Sequence, residues 1–237
     1  MRQLLPEGPP AGSPDRPWAV YEDQDRTGAG GRPWVLANMV SSADGSATLA
    51  GRSGGLSTPA DRDLFHHLRA LADVVLVGAS TVRAEGYGPA RGEQPPPIAV
   101  VTGTLALDWG SRFFTEARAR PLVVTSAAAD PERLAQAREV ADVVLAGDHR
   151  VELDRAVAEL GQRGHRVVLC EGGPSLLAEM AGAGVLDELC LTLAPLLAGG
   201  VSPRILTGPL QDAVDLRLAS VLEDEGALFL RYLRAAT

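Results

Sequence analysis

Apolar residues in this chain follow two rhythms. Unbroken short runs recur at 73–78 (DVVLVG), 97–103 (PIAVVTG), 121–126 (PLVVTS), 142–147 (DVVLAG) and 166–173 (RVVLCEGG). Runs of this length, closed by turn-forming residues, predict strands buried on both faces. Segment 33–41 (PWVLANMVS) reads as a strand too and opens the ordered domain. Elsewhere the apolar residues switch to helical spacing, over 58–72, 130–140, 151–163 and 174–183. In the first of these Thr58 is the expected N-cap and Pro59 takes the first helical position, where its missing N–H costs nothing. Leu64, Leu68 and Leu71 then share one face. Buried strands alternating with helices predict a largely parallel sheet covered on both sides.

The two ends of the chain break this alternation. Segments 186–195, 216–226 and 227–234 read as extended, and the last two turn near Glu225-Gly226. They predict an antiparallel hairpin at a sheet edge. Residues 1–32 are rich in Pro, Gly and charge, with TGAGGR (27–32) as a linker. They predict a loosely ordered arm, from which Trp18 and Tyr21 could dock. Residues 42–57 carry too many small and turn-forming residues for a regular element. The domain plan is therefore an arm, 1–32, and a single α/β domain, 33–237.

Composition narrows the function. A chain of 237 residues can bury a core without disulfides or metals. A net charge of −8 argues against a nucleic-acid partner, and every basic residue is Arg. Cys170 and Cys190 each lie in an apolar run, which predicts buried free thiols in a reducing compartment. His66 and His67 point different ways on a helix, so no metal site is expected. No apolar run approaches the roughly 18 residues that span a bilayer, and the N-terminal patch is interrupted by prolines and acids. A cytoplasmic protein with no membrane partner is expected.

Candidate chemistry lies where strands end in glycine. In 166–183 an apolar run meets Glu171, Gly172 and Gly173, then a helix beginning near Ser175. A helix start offers unpaired N–H groups and a positive dipole end, which suits phosphate. A plain tight turn is the alternative reading of those two glycines. Residues 73–86 repeat the form with Gly78, Ser80 and Thr81. The ends of VVTG (100–103) and VVTS (123–126) add more hydroxyls. Ligands of open α/β sheets sit beyond the carboxyl ends of strands. Four such tips favour an extended, phosphate-bearing ligand. No full dinucleotide fingerprint, Walker loop or nucleophile elbow is present.

At these residues a family resemblance enters. Residues 38–89 (NMVSSADGSATLAGRSGGLSTPADRDLFHHLRALADVVLVGASTVRAEGYGP) and 167–200 (VVLCEGGPSLLAEMAGAGVLDELCLTLAPLLAGG) resemble the C-terminal reductase domain of the riboflavin-biosynthesis deaminase/reductase. The likeness covers about 33–235. It implies a dihydrofolate reductase-like three-layer α/β fold, with a mostly parallel central sheet and an antiparallel C-terminal hairpin. It also implies NADPH as cofactor and a homodimer. The implied substrate is a phosphorylated pyrimidine, 5-amino-6-(5-phosphoribosylamino)uracil or its 2,5-diamino pyrimidinone precursor, whose ribosyl group becomes ribityl. The deaminase motifs, His-x-Glu and Pro-Cys-x-x-Cys, do not occur, so a reductase alone is expected.

The resemblance also assigns residues. Gly172, Gly173, Ser175 and Leu176 would face the cofactor pyrophosphate from one side, and Gly78, Ser80, Thr81 and Val82 from the other. Thr102 and Gly103 would lie near the adenosine, and Arg83 near a 2′-phosphate. Asn38, Ser42, Asp44 and Gly45 would stand where nicotinamide and substrate meet, with Gly45 on the cofactor. Ser57 and Arg69 would bind the sugar phosphate, and Glu171 would be a pocket carboxylate. Glu85 or Asp44 would hold ribose hydroxyls or deliver a proton. This chain departs from the pattern with Glu85-Gly86-Tyr87 where many members have Asp-Asp-Pro, Ser46 where a cation is common, and Gly55 where tryptophan is common. Two alternatives stand beside this reading: a dihydrofolate or dihydropterin reductase, and a non-catalytic module that senses NADPH.

Overall fold

Val74, Val75, Leu76 and Val77 are all fully buried, as a run without polar positions must be when both faces of its strand are covered. The computed structural model, which describes residues 1–6, 18–22, 25–90 and 92–235, puts this run inside a ten-stranded sheet. The strands are β1 (Arg2–Leu5), β2 (Trp34–Ser42), β3 (Val74–Gly78), β4 (Ile98–Val101) and β5 (Leu122–Thr125). They continue with β6 (Asp142–Leu145), β7 (Val167–Cys170), β8 (Glu188–Ala194), β9 (Leu216–Asp224) and β10 (Ala227–Arg234). Across the sheet the order is β1-β9-β10-β8-β2-β7-β3-β4-β5-β6. Strands β8 to β6 in that order are parallel, and β1, β9 and β10 add antiparallel pairs.

Among the described residues six α-helices flank the sheet: α1 (Pro59–Leu71), α2 (Ala79–Glu85), α3 (Arg112–Thr115), α4 (Pro131–Val140), α5 (Leu153–Gln162) and α6 (Pro174–Gly182). Alternate side chains of each strand feed opposite layers. Val75 and Val77 pack with Leu64 and Leu68 of α1, Val82 of α2 and Phe113 of α3. Val74 and Leu76 pack with Val157 and Leu160 of α5 and Leu177 and Met180 of α6. The result is the expected three-layer α/β arrangement. Thr58 caps α1, its Oγ1 accepting from the Asp61 N–H at 3.1 Å.

The antiparallel end differs from expectation. β9 and β10 do form a hairpin, with Glu225 and Gly226 both left-handed (φ 49° and 84°), the backbone of a two-residue turn that matches strand twist. The hairpin is not the sheet edge, because β1 pairs with β9, Arg2 opposite Glu223. Trp18 and Tyr21 are buried, and Trp18 meets Phe229 edge-on with ring centroids 5.3 Å apart. Residues 2–5 and 18–21 are therefore part of the fold and not loose. Their proline-rich surroundings hide that two aromatic rings are needed to cover β10. Residues 7–17 and 23–24 of the 1–32 arm lie outside the described residues.

A buried charge network fastens this segment. Glu188 is fully buried and accepts from Arg231 Nε at 2.7 Å and Trp34 Nε1 at 3.0 Å. Arg26 Nε lies 3.4 Å from the same carboxylate. The two guanidinium groups also reach back to the chain, Arg231 donating to the Val20 carbonyl at 2.7 Å and Arg26 to that of Tyr21 at 2.6 Å. Removing one partner of such a cluster leaves buried charge without compensation. Glu188→Ala is expected to lower the unfolding free energy by about 3–5 kcal/mol, read from urea denaturation. An effect within about 0.5 kcal/mol, the level of an ordinary surface substitution, would show that the cluster does not brace the fold.

Candidate active site

The site lies where one strand stops short. β7 pairs with β2 only as far as Ala37 opposite Cys170. β2 runs on to Ser42 beside β8, and β3 runs on to Gly78 beside β4. The gap beyond β7 falls among the carboxyl ends of parallel strands, the usual place for a ligand in such sheets. Into it the chain sends Glu171, Gly172 and Gly173 before α6 begins at Pro174.

The diglycine turn is tightly constrained. Gly172 is left-handed (φ 79°), and the peptide joining it to Gly173 is cis. The Gly78 N–H donates to the Gly172 carbonyl at 2.8 Å, so the turn is tied to the end of β3. A Cβ added at Gly173 would lie 2.6 Å from Thr81 Oγ1. Close approach by the chain itself is thus one reason for glycine here.

Two cavities flank this turn. The first, about 840 Å³, is lined by Asn38, Ser57, Arg69, Thr81, Glu85, Tyr87 and Glu171 among others. The second, about 1080 Å³, is lined by Gly78, Arg83, Thr102, Gly103, Arg150, Ser175 and Leu176 among others. Ser80, Gly173 and Pro174 belong to both walls. A ligand with two ends and a narrow middle fits this shape. Gly103 lines the second cavity, and a Cβ there would meet no atom within 4 Å. Asn38 Oδ1 is buried without a hydrogen-bond partner among the described residues, although its residue lines the first cavity. Buried polar atoms are normally satisfied, so this acceptor suits a ligand N–H.

Arg69 and the carboxylates of the first cavity are paired. Arg69 donates to both oxygens of Glu171, at 2.6 and 2.7 Å, and Tyr87 Oη donates to Glu171 at 2.8 Å. The Arg69 guanidinium lies 4.3 Å from the Phe65 ring centroid. Burial, then the Glu171 charge, pushes the Tyr87 phenol well above its ordinary pKa, so it stays a donor. Glu85 Oε1 accepts from the Ser53 N–H at 2.8 Å. Ser57 Oγ donates to Asp61.

Several assigned residues stand elsewhere. Asp44 does not line either cavity. Its carboxylate accepts from Ser42 Oγ and from the Ala198 and Gly199 N–H groups at 3.0 and 2.8 Å. The Ser42 hydroxyl first, then those two amides, lowers its pKa to about 2. Its folded pKa is below the unfolded one, near 4. Its contribution to stability is therefore present above that value and lost as pH falls towards about 2. That direction is wrong for an acid that must hold a proton near neutrality, which corrects the assignment of Asp44 as proton donor. Ser42 and Gly45 shape the same turn, with Gly45 N–H donating to the Ser42 carbonyl at 3.0 Å, and they too lie off the cavity walls. Val82 is on the buried face of α2 and packs into the core. Ser46 is buried and donates to the Thr48 carbonyl at 2.6 Å.

Tyr87 and Phe65 line the first cavity and Arg150 the second, and none of them is among the residues the sequence points to. A lone aromatic after Gly86, another inside α1 and a turn arginine after β6 carry no spacing signal. The buried cysteines are inert, burial pushing the Cys170 thiol up to about 12. No helix among the described residues is long and apolar enough to cross a membrane.

Known proteins share this architecture. The sequence model of the RibD C-terminal domain matches residues 33–230. The 2,5-diamino-6-ribosylamino-4(3H)-pyrimidinone 5′-phosphate reductase of Methanothermobacter thermautotrophicus is 31% identical over 199 residues, 79% of this chain and 91% of that protein. A pyrimidine reductase-like protein from Corynebacterium diphtheriae is 28% identical and superposes with a TM-score of 0.80, over 92% of this chain and 98% of that one. Dihydrofolate reductase from Enterococcus faecalis shares the fold, with a TM-score of 0.53 at 16% identity over 85% of this chain and 96% of that one. A match over this much of the chain, joined to a cleft at the carboxyl ends of the parallel strands, places the protein in the RibD C-terminal domain family.

Proposed function

We propose that this protein is an NADPH-dependent reductase that converts the ribosyl group of a 5′-phosphorylated ribosylaminopyrimidine to ribityl. The observation that carries the reading is the pair of cavities sharing Ser80, Gly173 and Pro174. That division suits a dinucleotide whose redox end and adenosine end are parted by a pyrophosphate. The bound nicotinamide would supply hydride to C1′ of the sugar in its open-chain imine form.

The chain supplies position and protons. Ser175 and Leu176 lie in the first turn of α6, where backbone N–H groups have no helical partner. They can hold the pyrophosphate with the Ser80 and Thr81 hydroxyls. Thr102 and Gly103 would flank the adenosine. Arg83 donates one guanidinium nitrogen to the Ala106 carbonyl at 2.9 Å, leaving other donors for a 2′-phosphate. Asn38 Oδ1 would accept from an amide or amine of the bound ring system. Phe65 and Tyr87 form an apolar wall that limits water beside the reacting carbon. Glu85 keeps Oε2 without a partner among the described residues while Ser53 fixes Oε1. That oxygen can bind a ribose hydroxyl or pass a proton to the imine nitrogen.

Titration of the protein with NADPH is expected to saturate, and adding the phosphoribosylaminopyrimidine should then oxidise the cofactor. Binding without oxidation would favour a sensing module. Faster oxidation with dihydrofolate would favour a folate-type reductase. Glu85→Gln is expected to lower kcat by roughly a hundredfold or more, a loss that Asp44→Asn should not approach. Equal losses in steady-state assays would remove Glu85 from the proton path. Gly173→Ala is expected to cost about 1–3 kcal/mol of stability through its contact with Thr81. Adding Thr81→Ala should recover most of that loss in thermal denaturation. No recovery would place the strain elsewhere.

A further inference from the structure

Tyr87 stands where a helix end meets the first cavity. Gly86, with a left-handed backbone (φ 65°, ψ 49°), ends α2. The Tyr87 N–H closes that end by donating to the Val82 carbonyl at 3.0 Å. The turn carries the ring into the cavity wall, where its hydroxyl donates to Glu171 Oε2 at 2.8 Å. The Glu171 side chain is only 2% exposed, and a carboxylate so buried needs several donors. Among the described residues its oxygens have two donor residues, Arg69 and Tyr87. Gly86 and Tyr87 are also positions at which this chain departs from the pattern it resembles, so this hydroxyl is a feature of the chain itself.

The ion pair that Tyr87 touches is only partly used. A guanidinium carries five N–H donors. Arg69 gives one from Nε and one from Nη2 to Glu171, along a single edge. Its other edge, Nη1 with the second Nη2 hydrogen, has no partner among the described residues, and Arg69 lines the cavity. Two rings frame the cation, Phe65 with its centroid 4.3 Å from Cζ and Tyr87 with its centroid 5.9 Å away. The unused edge is a second fork, shaped for two oxygens of a phosphate or carboxylate. Glu171 bears on that fork. Its full charge beside Arg69 would oppose a second anion at the same cation. The Tyr87 hydrogen bond takes up part of that charge and fixes the carboxylate plane, and with it the direction of the fork.

We infer that Tyr87 is a positioning residue: through Glu171, its hydroxyl aims the free fork of Arg69 at an anionic group of the substrate. The inference rests on the function proposed above for the identity of that group, the 5′-phosphate. The hydroxyl acts at one remove, through the carboxylate and then the guanidinium, while the ring remains part of the wall.

Tyr87→Phe removes the hydroxyl and keeps the ring. KM for the phosphorylated substrate is expected to rise on the order of tenfold, while kcat stays within about twofold. KM for the dephosphorylated ribosyl counterpart should hardly change. A merely structural role would instead lower kcat through loss of active protein and leave KM alone. Calorimetric titration of ribose 5-phosphate into cofactor-free protein should show a weakening similar to that in KM. In a Glu171→Gln background, Tyr87→Phe should have little further effect on that affinity, because the relay is already cut. Unchanged KM and ribose 5-phosphate affinity in Tyr87→Phe would overturn the inference. So would an equal rise in KM for both substrates, a full Tyr87→Phe effect that persists in Glu171→Gln, or wild-type protein that binds no ribose 5-phosphate. Wild-type protein that reduces neither pyrimidine would refute the proposed function, while the calorimetry would still decide the role of Tyr87. Thermal denaturation of each variant confirms that the fold is kept.

Discussion

The hydrogen bond from the Gly78 N–H to the Gly172 carbonyl joins two strand ends whose separation defines the cleft. The β3–β7 ladder ends at Leu76 opposite Cys170. This further bond keeps the turn after β7 against β3 while the backbone swings into α6. Because the turn is held there, Gly173 can stand between two cavities and form part of both walls. A substituted residue at Gly172 would be strained by the left-handed φ and would press on Met39 Sδ, 3.2 Å from the added carbon. The site thus depends on backbone geometry first, and on side chains second.

Two kinds of charge pairing serve different ends of the molecule. The Glu188 cluster is deep, links β8, β10 and β2 to the N-terminal segment, and acts on the fold. The Arg69–Glu171–Tyr87 cluster stands in a cavity wall and acts on the site. In both, a carboxylate accepts from several donors, which is the condition for keeping a buried charge. In the second, the pairing also decides which groups remain free for a ligand. Asn38, Ser80, Thr81 and one oxygen of Glu85 are left for that work.

The parallel core was legible because its strands are unbroken apolar runs such as VVLV and its helices carry period and caps, as Thr58 and Pro59 do. The edge was not. Arg2–Leu5 is too short to show alternation, and its pairing with β9 depends on a partner more than 200 residues away. Trp18 and Tyr21 sit in a stretch whose composition reads as linker, so only the uncovered face of β10 explains their burial. At the site, Gly78, Ser80, Gly173 and Ser175 could be placed because glycine and hydroxyl residues follow strand ends. Asp44 and Ser42 stand next to those positions in the resemblance, yet they close a turn against Ala198 and Gly199. Which oxygen meets which amide across 150 residues is not a property of local sequence.

The central claim is that a single dinucleotide spans both cavities, crossing at Ser80 and Gly173. A crystal structure with NADPH bound tests it most directly. The account predicts density for the pyrophosphate against the start of α6 and the Ser80 hydroxyl, with the nicotinamide beside Asn38 and the adenosine beside Gly103. Density for the cofactor confined to one cavity, or its pyrophosphate away from Gly173, would contradict it.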